Sequence, residues 1–332
     1  MNNRILITGG SGFIGTNLIE LFLQKKYDFI NFDKSKPLNK EHNEYWVEGN
    51  IMNVNNLEDA FEKYEPTVVI HLAAKADCES DNIDDYFENT TGTENVLKVI
   101  ANCNTIQNAI ITSTQYVYKS KSHPFPSSDE QYKYHLTYGE SKVITEKLTR
   151  SANLKCNWTI IRPANIWGPW HMRYPNELWK VLKKGYYIHP SLKPVVRTYG
   201  YVKNIVYQID AIMIAAPIIT NGKTFYLGDY PVDSFEWLNG ISKAINNKSL
   251  KKIPAISFYL PALVGEMLNK LGLNFPLHMV RYRNMIEDYY SPTNVTINQF
   301  GLSNPLMEEN IKETLDWIKI NSVEHFPDWN KI

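Results

Sequence analysis

The first 163 residues alternate short β-rich runs with longer stretches of helical periodicity, and this alternation restricts the possible folds more than any other feature. The runs "RILIT" (4–8), "FINFD" (29–33), "YWVEG" (45–49), "TVVIHLAA" (67–74), "NAIITS" (108–113) and "NWTIIRP" (157–163) read as strands. Helical patterns at 13–26, 54–64, 83–103 and 138–153 lie between them. Near-continuous apolar strands separated by helices imply an α/β, doubly wound parallel sheet covered on both faces. Ligands of such a sheet gather beyond the carboxyl ends of its strands. After Pro163 the alternation loosens, and helical patterns at 175–184, 234–247 and 308–320 mix with Pro-, Tyr- and Asn-containing loops. Residues 1–165 are expected to form the main domain, with 196–228 returning to its sheet. Residues 166–332 are expected to form a smaller mixed α/β lobe that binds substrate.

Of the 332 residues, 43% are hydrophobic, and 35 Lys and Arg balance 35 Asp and Glu. That balance gives no support for a nucleic-acid or membrane-surface partner. The most apolar later stretch, "IPAISFYLPALVGEML" (253–268), falls short of the roughly 20 residues that span a bilayer. "MNNRILITGG" holds only a short apolar run before glycine, so no signal peptide is expected. Cys78, Cys103 and Cys156 form neither a CxxC pair nor an even framework. They read as reduced thiols of a cytoplasmic protein, and no metal-ligand set is expected.

"TGGSGFIG" (8–15) places Gly9, Gly12 and Gly15 in the spacing GxxGxxG between a strand and a helix. In that context the missing side chains allow a tight turn and close approach of a pyrophosphate, and the helix N-terminus offers amide donors. Gly9, Gly12, Phe13, Ile14 and Gly15 are therefore candidate cofactor residues. Asp33 ends the next strand, 18 residues after Gly15. A carboxylate there accepts from the adenosine ribose hydroxyls and repels a 2′-phosphate, which favours NAD over NADP. Lys34 and Lys36 nearby are cations that can offset the repulsion.

Tyr138 and Lys142 are four apart in a helical pattern and project from one face. A phenol titrates near 10 and is a poor proton carrier at neutral pH. An ammonium about 5 Å away contributes roughly 3 kcal/mol at an effective dielectric near 20, so Lys142 is expected to lower the Tyr138 pKa. Thr114, or Ser113 beside it, ends the preceding strand and is placed to share a hydrogen bond with a substrate oxygen. Together these groups can move a proton while a nicotinamide exchanges hydride.

With these motifs in place, the sequence resembles the extended short-chain dehydrogenase/reductase family, in particular its NAD-dependent nucleotide-sugar epimerase and dehydratase branch, which includes UDP-galactose 4-epimerase-like enzymes. The resemblance rests on "TGGSGFIG", Asp33, "GNI" (49–51), "HLAA" (71–74), "NTTGTENVL" (89–97), "STQYVY" (113–118), "YGESK" (138–142), "RPANIWGP" (162–169) and "RTYGYVKN" (197–204). It implies a Rossmann fold with Asn50 and Ile51 facing the adenine. Asparagine stands at position 50 in place of the usual aspartate. Leu72, Ala73 and Ala74 would line the ribose side, Lys75 would be within reach of phosphates, and Pro163 would lie near the nicotinamide. Tyr138 and Lys142 would also touch the cofactor. Asn165 and Arg197 match positions that hold the nucleotide diphosphate, for which the fixed guanidinium fork is suited. Asn204 stands where many relatives carry aspartate. The resemblance also implies a homodimer through the helices near 83–103 and 138–153. Val96, Val99, Ile144 and Leu148 suit that role and equally suit packing on the sheet.

In the 4,6-dehydratase subgroup an Asp-Glu pair follows the catalytic threonine. Here the pair is Gln115 and Tyr116, neither a carboxylic acid, so dehydration by that route is disfavoured. The expected activity is 4-epimerisation of a nucleotide-sugar through a 4-keto intermediate, with Thr114, Tyr138 and Lys142 catalytic. A nucleotide-sugar 4-keto reductase or 4-dehydrogenase, a steroid- or flavonoid-type dehydrogenase and a non-catalytic NAD-binding protein remain as alternatives.

Overall fold

The computed structural model describes residues 3–119, 128–273, 275–326 and 329. The chain divides into two compact units. The first comprises Met1–Ile166, Gly200–Asp229 and Pro292–Ser303; the second comprises Trp167–Tyr199, Tyr230–Ser291 and Asn304–Ile332.

In the first unit the elements run β1 (Arg4–Thr8), α1 (Phe13–Lys25), β2 (Asp28–Asp33), β3 (Trp46–Glu48), α2 (Val54–Tyr64), β4 (Val68–His71), α3 (Thr93–Asn102), β5 (Asn108–Thr112), α4 (Leu136–Ser151) and β6 (Asn157–Pro163). After residue 199 the unit resumes with α5 (Val202–Ile214) and β7 (Lys223–Leu227). Seven parallel strands form one sheet in the order β7-β6-β5-β4-β1-β2-β3. This is the doubly wound Rossmann architecture, and its order reverses between β1 and β4.

The period-two alternation of the strands divides the core into two layers. Ile5, Ile7, Val68, Ile70 and Ile110 point to one face and pack with Leu18 and Phe22 of α1 and Ile205 and Ile209 of α5. Leu6, Val69, Ala109 and Ile111 point to the other face and pack with α2 and α3. Val96 and Val99 are buried in this second layer, so of their two possible roles they take the one on the sheet.

The second unit contains α6 (Ser234–Asn246), α7 (Tyr259–Lys270), α8 (Met279–Ile286) and α10 (Met307–Ile320), with short strand pairs. The intervening helix α9 (Thr293–Phe300) belongs to the first unit. A cluster of buried tryptophans, Trp167, Trp179 and Trp237, lies within the second unit. Among the described residues no helix is long and apolar enough to cross a membrane.

Candidate active site

The glycine loop lies where the strand order reverses. Gly9 has φ +77°, and a Cβ on it would sit 2.4 Å from the backbone nitrogen of Ala73, which follows β4. Only glycine fits there. The Gly9 amide donates to the Phe32 carbonyl and the Gly12 amide to the Gly9 carbonyl, so the turn is closed on itself before α1 begins at Phe13, followed by Ile14 and Gly15. No side chain caps α1 and no acid lies in its first turn, which suits it to an anionic group.

Asp33, at the end of β2, is joined directly to this loop. Its Oδ2 accepts from the Ser11 amide at 3.0 Å and its Oδ1 from the Ser35 amide at 2.8 Å. Lys34 pairs with Glu88 at 3.0 Å, so its charge is already engaged rather than held for a 2′-phosphate. The cradle at Gly9, the uncapped helix start and the Asp33 carboxylate fit NAD.

The proton-transfer groups collect at the carboxyl ends of β5 and the start of α4. Tyr138 is buried and shares a hydrogen bond with the Thr114 hydroxyl. Thr114 also accepts from the Tyr116 amide at 3.3 Å. Ser113 is committed elsewhere, donating to Glu146 Oε1 at 2.5 Å, which leaves Thr114 as the hydroxyl beside Tyr138. Lys142 is buried one turn along α4, and its Nζ donates to the Thr112 carbonyl at 3.0 Å.

The electrostatics correct one expectation. Burial pushes the Tyr138 phenol above its ordinary value, and the Thr114 hydrogen bond opposes this. Spacing puts both side chains on one face, but the cost of burying a phenolate outweighs any help from the ammonium. Lys142 is itself perturbed: burial pulls it down to about 8, with Glu146 acting to raise it. Beneath it His71 is pushed down to about 3 by burial and by the Lys142 charge, and is held between the hydroxyls of Thr8 and Thr93.

The other candidate residues also lie beyond strand ends of the first unit. Asn50 and Ile51 follow β3; the Asn50 Oδ1 accepts from the Met52 amide at 2.9 Å, and Ile51 is buried. An amide oxygen has a second lone pair, so this turn does not exhaust its accepting capacity. Leu72, Ala73, Ala74 and Lys75 follow β4, with the Lys75 ammonium 5.1 Å from the centre of the Tyr86 ring. Pro163 ends β6, and just beyond it the Asn165 Oδ1 accepts from the Tyr116 hydroxyl at 3.1 Å. Arg197 belongs to the second unit, where its guanidinium donates to the carbonyls of Asn284 and Glu287. Among the described residues no group of three or more His, Cys, Asp or Glu side chains is arranged to hold a metal ion.

Sequence reasoning missed three supporting residues. Glu146, a further four residues along the Tyr138–Lys142 face, forms a buried ion pair with Arg162 of β6. Continuing the spacing of four would have found the acid. Asn89 brackets Lys75 by accepting from its amide at 2.8 Å and donating to its carbonyl at 2.9 Å, and also donates to Ser141 of α4. It lies in the quoted "NTTGTENVL" run, but no local pattern announces its long-range partners. His71 is the third, in the quoted "HLAA" run.

A phosphate cradle and a buried proton-transfer group at one sheet edge serve together in dinucleotide-dependent enzymes of the doubly wound class, and this chain is one of them. Residues 5–222 match the model of the NAD dependent epimerase/dehydratase family, and the chain belongs to that family. NAD is its cofactor. The chain is similar to the N-acetyl-alpha-D-glucosaminyl-diphospho-ditrans,octacis-undecaprenol 4-epimerase of Escherichia coli O157:H7, 30% identical over 299 residues that cover 85% of each chain. It is also similar to the dTDP-glucose 4,6-dehydratase of Haemophilus influenzae, 35% identical over 171 residues, a match spanning 45% of this chain and about half, 51%, of that protein. In fold it resembles the UDP-glucose 4-epimerase of Thermus thermophilus solved with NAD, at a TM-score of 0.68 and 19% identity, covering 95% of this chain and 99% of that one.

Proposed function

We propose that this enzyme is a 4-epimerase of a diphosphate-activated sugar, a nucleotide-sugar in the first instance, acting through a 4-keto intermediate. The observation that carries the reading is the buried Tyr138 hydroxyl bonded to Thr114, with Lys142 one turn further along the same helix. NAD, held beyond the glycine loop and Asp33, would supply the exchange of a hydride with C4 that inversion requires. Tyr138 takes the proton of the C4 hydroxyl and gives it back, and Thr114 orients the oxygen between the two transfers. Lys142 supplies positive charge beneath the phenol once a ligand offers it a partner. The Asn165 oxygen accepts from Tyr116, and its amide NH₂ would serve as a donor for the diphosphate. The second unit is the proposed substrate lobe, with Arg197 as a phosphate ligand within it. Gln115 and Tyr116 offer no carboxyl group for loss of water, which favours epimerisation over dehydration.

The test is a panel of UDP-, GDP-, CDP- and dTDP-sugars, extended to a polyprenyl-diphosphate sugar of the kind that the E. coli relative's name describes. Product stereochemistry and cofactor absorbance are followed together. Inversion at C4 without net NAD turnover is expected, and Tyr138→Phe should lower the rate by about 10²-fold or more. Stoichiometric consumption of added cofactor would instead identify a 4-keto reductase or 4-dehydrogenase, which needs the same three residues and no product rotation. A Tyr138→Phe enzyme with wild-type turnover would refute both.

A further inference from the structure

Helix α7 is turned inside out. Its buried positions are the small residues Ala262 and Gly265, while Leu260, Leu263, Val264 and Met267 face solvent, continuing to Leu271. The spacing 260, 263, 264, 267, 271 is one stripe of a helix, the stripe that normally faces a core. Leu260, Met267 and Leu271 are 69%, 67% and 75% exposed, values that no inward-facing ridge shows. The cause is close packing on the other side. A Cβ at Gly265 would sit 1.8 Å from the Leu277 carbonyl oxygen, so the segment leading into α8 lies directly on the α7 backbone. The turn between the helices is stitched by Asn269, whose Oδ1 accepts from the Phe275 amide at 2.6 Å. Of the 24 large apolar side chains exposed among the described residues, ten fall between 256 and 280.

The charge around this stripe is one-sided. Within the hairpin, residues 259–286, Lys270, Arg281 and Arg283 stand against the single acid Glu266. Lys270, Arg281 and Arg283 are exposed, whereas Glu266 is half-buried. Overall neutrality hides this local excess.

We propose that the α7–α8 hairpin lies on the surface of an anionic phospholipid bilayer, with the apolar stripe among the acyl chains and the basic residues on the headgroups. At 12 residues, α7 is about 18 Å long, too short to cross a bilayer and suited to lying in its plane. Charge complementarity selects lipid over a second copy of the chain. A self-complementary contact through this patch sets one positively charged surface against its copy, while anionic headgroups neutralise Lys270, Arg281 and Arg283.

The experiment is flotation of the full-length protein with vesicles of phosphatidylcholine alone or mixed with phosphatidylglycerol, at low and high salt. Light scattering and NAD binding are measured in parallel. Binding to the mixed vesicles is expected, weakened by salt. Leu260→Glu with Met267→Glu should abolish it, and Lys270→Glu with Arg281→Glu should weaken it roughly ten-fold or more. All variants should retain NAD binding, since none touches the glycine loop. Absence of vesicle binding by a folded protein overturns the proposal, and so does binding that is equal on neutral vesicles and insensitive to salt. A lipid-independent dimer that Leu260→Glu with Met267→Glu splits would assign the stripe to a second copy instead.

Discussion

Glu146 and Arg162 meet in a two-pronged ion pair with no solvent exposure: Nε reaches Oε1 at 2.8 Å and Nη2 reaches Oε2 at 2.7 Å. The pair ties α4, which carries Tyr138 and Lys142, to β6, which ends at Pro163. Arg162 also donates to the Tyr226 hydroxyl and the Asp129 carbonyl, so each of its three guanidinium nitrogens has a partner.

Glu146→Gln leaves a buried guanidinium without its counter-charge. We expect a loss of about 3–5 kcal/mol, read by urea or thermal denaturation. Glu146→Leu combined with Arg162→Met should recover most of it, because the double change removes both desolvated charges. A single variant as stable as the wild type would show that the pair does not hold the helix.

The pH dependence of stability reports on Lys142. Its folded-state value of about 8 lies below the ordinary 10.5. Below about pH 8 the folded and unfolded chains both carry the charge, and the burial penalty is felt in full. Between about 8 and 10.5 the unfolded chain keeps a proton that the folded chain has shed, so stability rises with pH through this window. The stability of the wild type relative to Lys142→Met should therefore increase by up to about 3 kcal/mol across it. A difference that stays flat in urea titrations would mean that Lys142 keeps its proton.

Asp33→Ala should change the choice of cofactor. It removes the carboxylate proposed to accept from the ribose hydroxyls and also releases the Ser11 amide as a donor. We expect the preference for NAD over NADP to fall by about ten-fold or more, measured as the ratio of dissociation constants; about 1.4 kcal/mol suffices for that. With Lys34 held by Glu88, further relaxation should follow Glu88→Gln in the Asp33→Ala background.

Tyr116→Phe deletes the donor that fixes the Asn165 amide while keeping the ring beside Tyr138 and His135. One lost hydrogen bond of about 1 kcal/mol predicts a rise in KM for the activated sugar of about five-fold, with kcat little changed. A fall in kcat at constant KM would instead place Tyr116 in the chemistry.

Two of the punctuated apolar runs were readable to the residue, "RILIT" as β1 and "NWTIIRP" as β6, while "FINFD", "YWVEG" and "NAIITS" differ from β2, β3 and β5 by one residue at one end or both. Where the backbone leaves its ladder for a distant partner, periodicity misleads. The continuous pattern at 83–103 breaks into a short turn of helix at Ile83–Tyr86, a wider turn at Glu88–Gly92 and α3, with Asn89 in the wider turn reaching across to Lys75. The run 67–74 stops being strand at His71, because the following residues bend against Gly9 and Asn89. Spacing revealed that Tyr138 and Lys142 share a face. It could not reveal burial, and burial decides the direction of both pKa values. The same limit applies to 253–268, where the apolar positions were visible but the side of the helix that meets water was not.

Arg197 reaches the end of α8, the second arm of the hairpin with the outward stripe, and donates from Nη2 to two carbonyl oxygens there. Both bonds use Nη2, so they engage two of the five guanidinium N–H groups and leave those on Nε and Nη1 out of the contact. Because the guanidinium is planar and rigid, the arm that holds Nη2 also sets the direction of the rest of the fork, and movement of that arm would turn its other N–H groups.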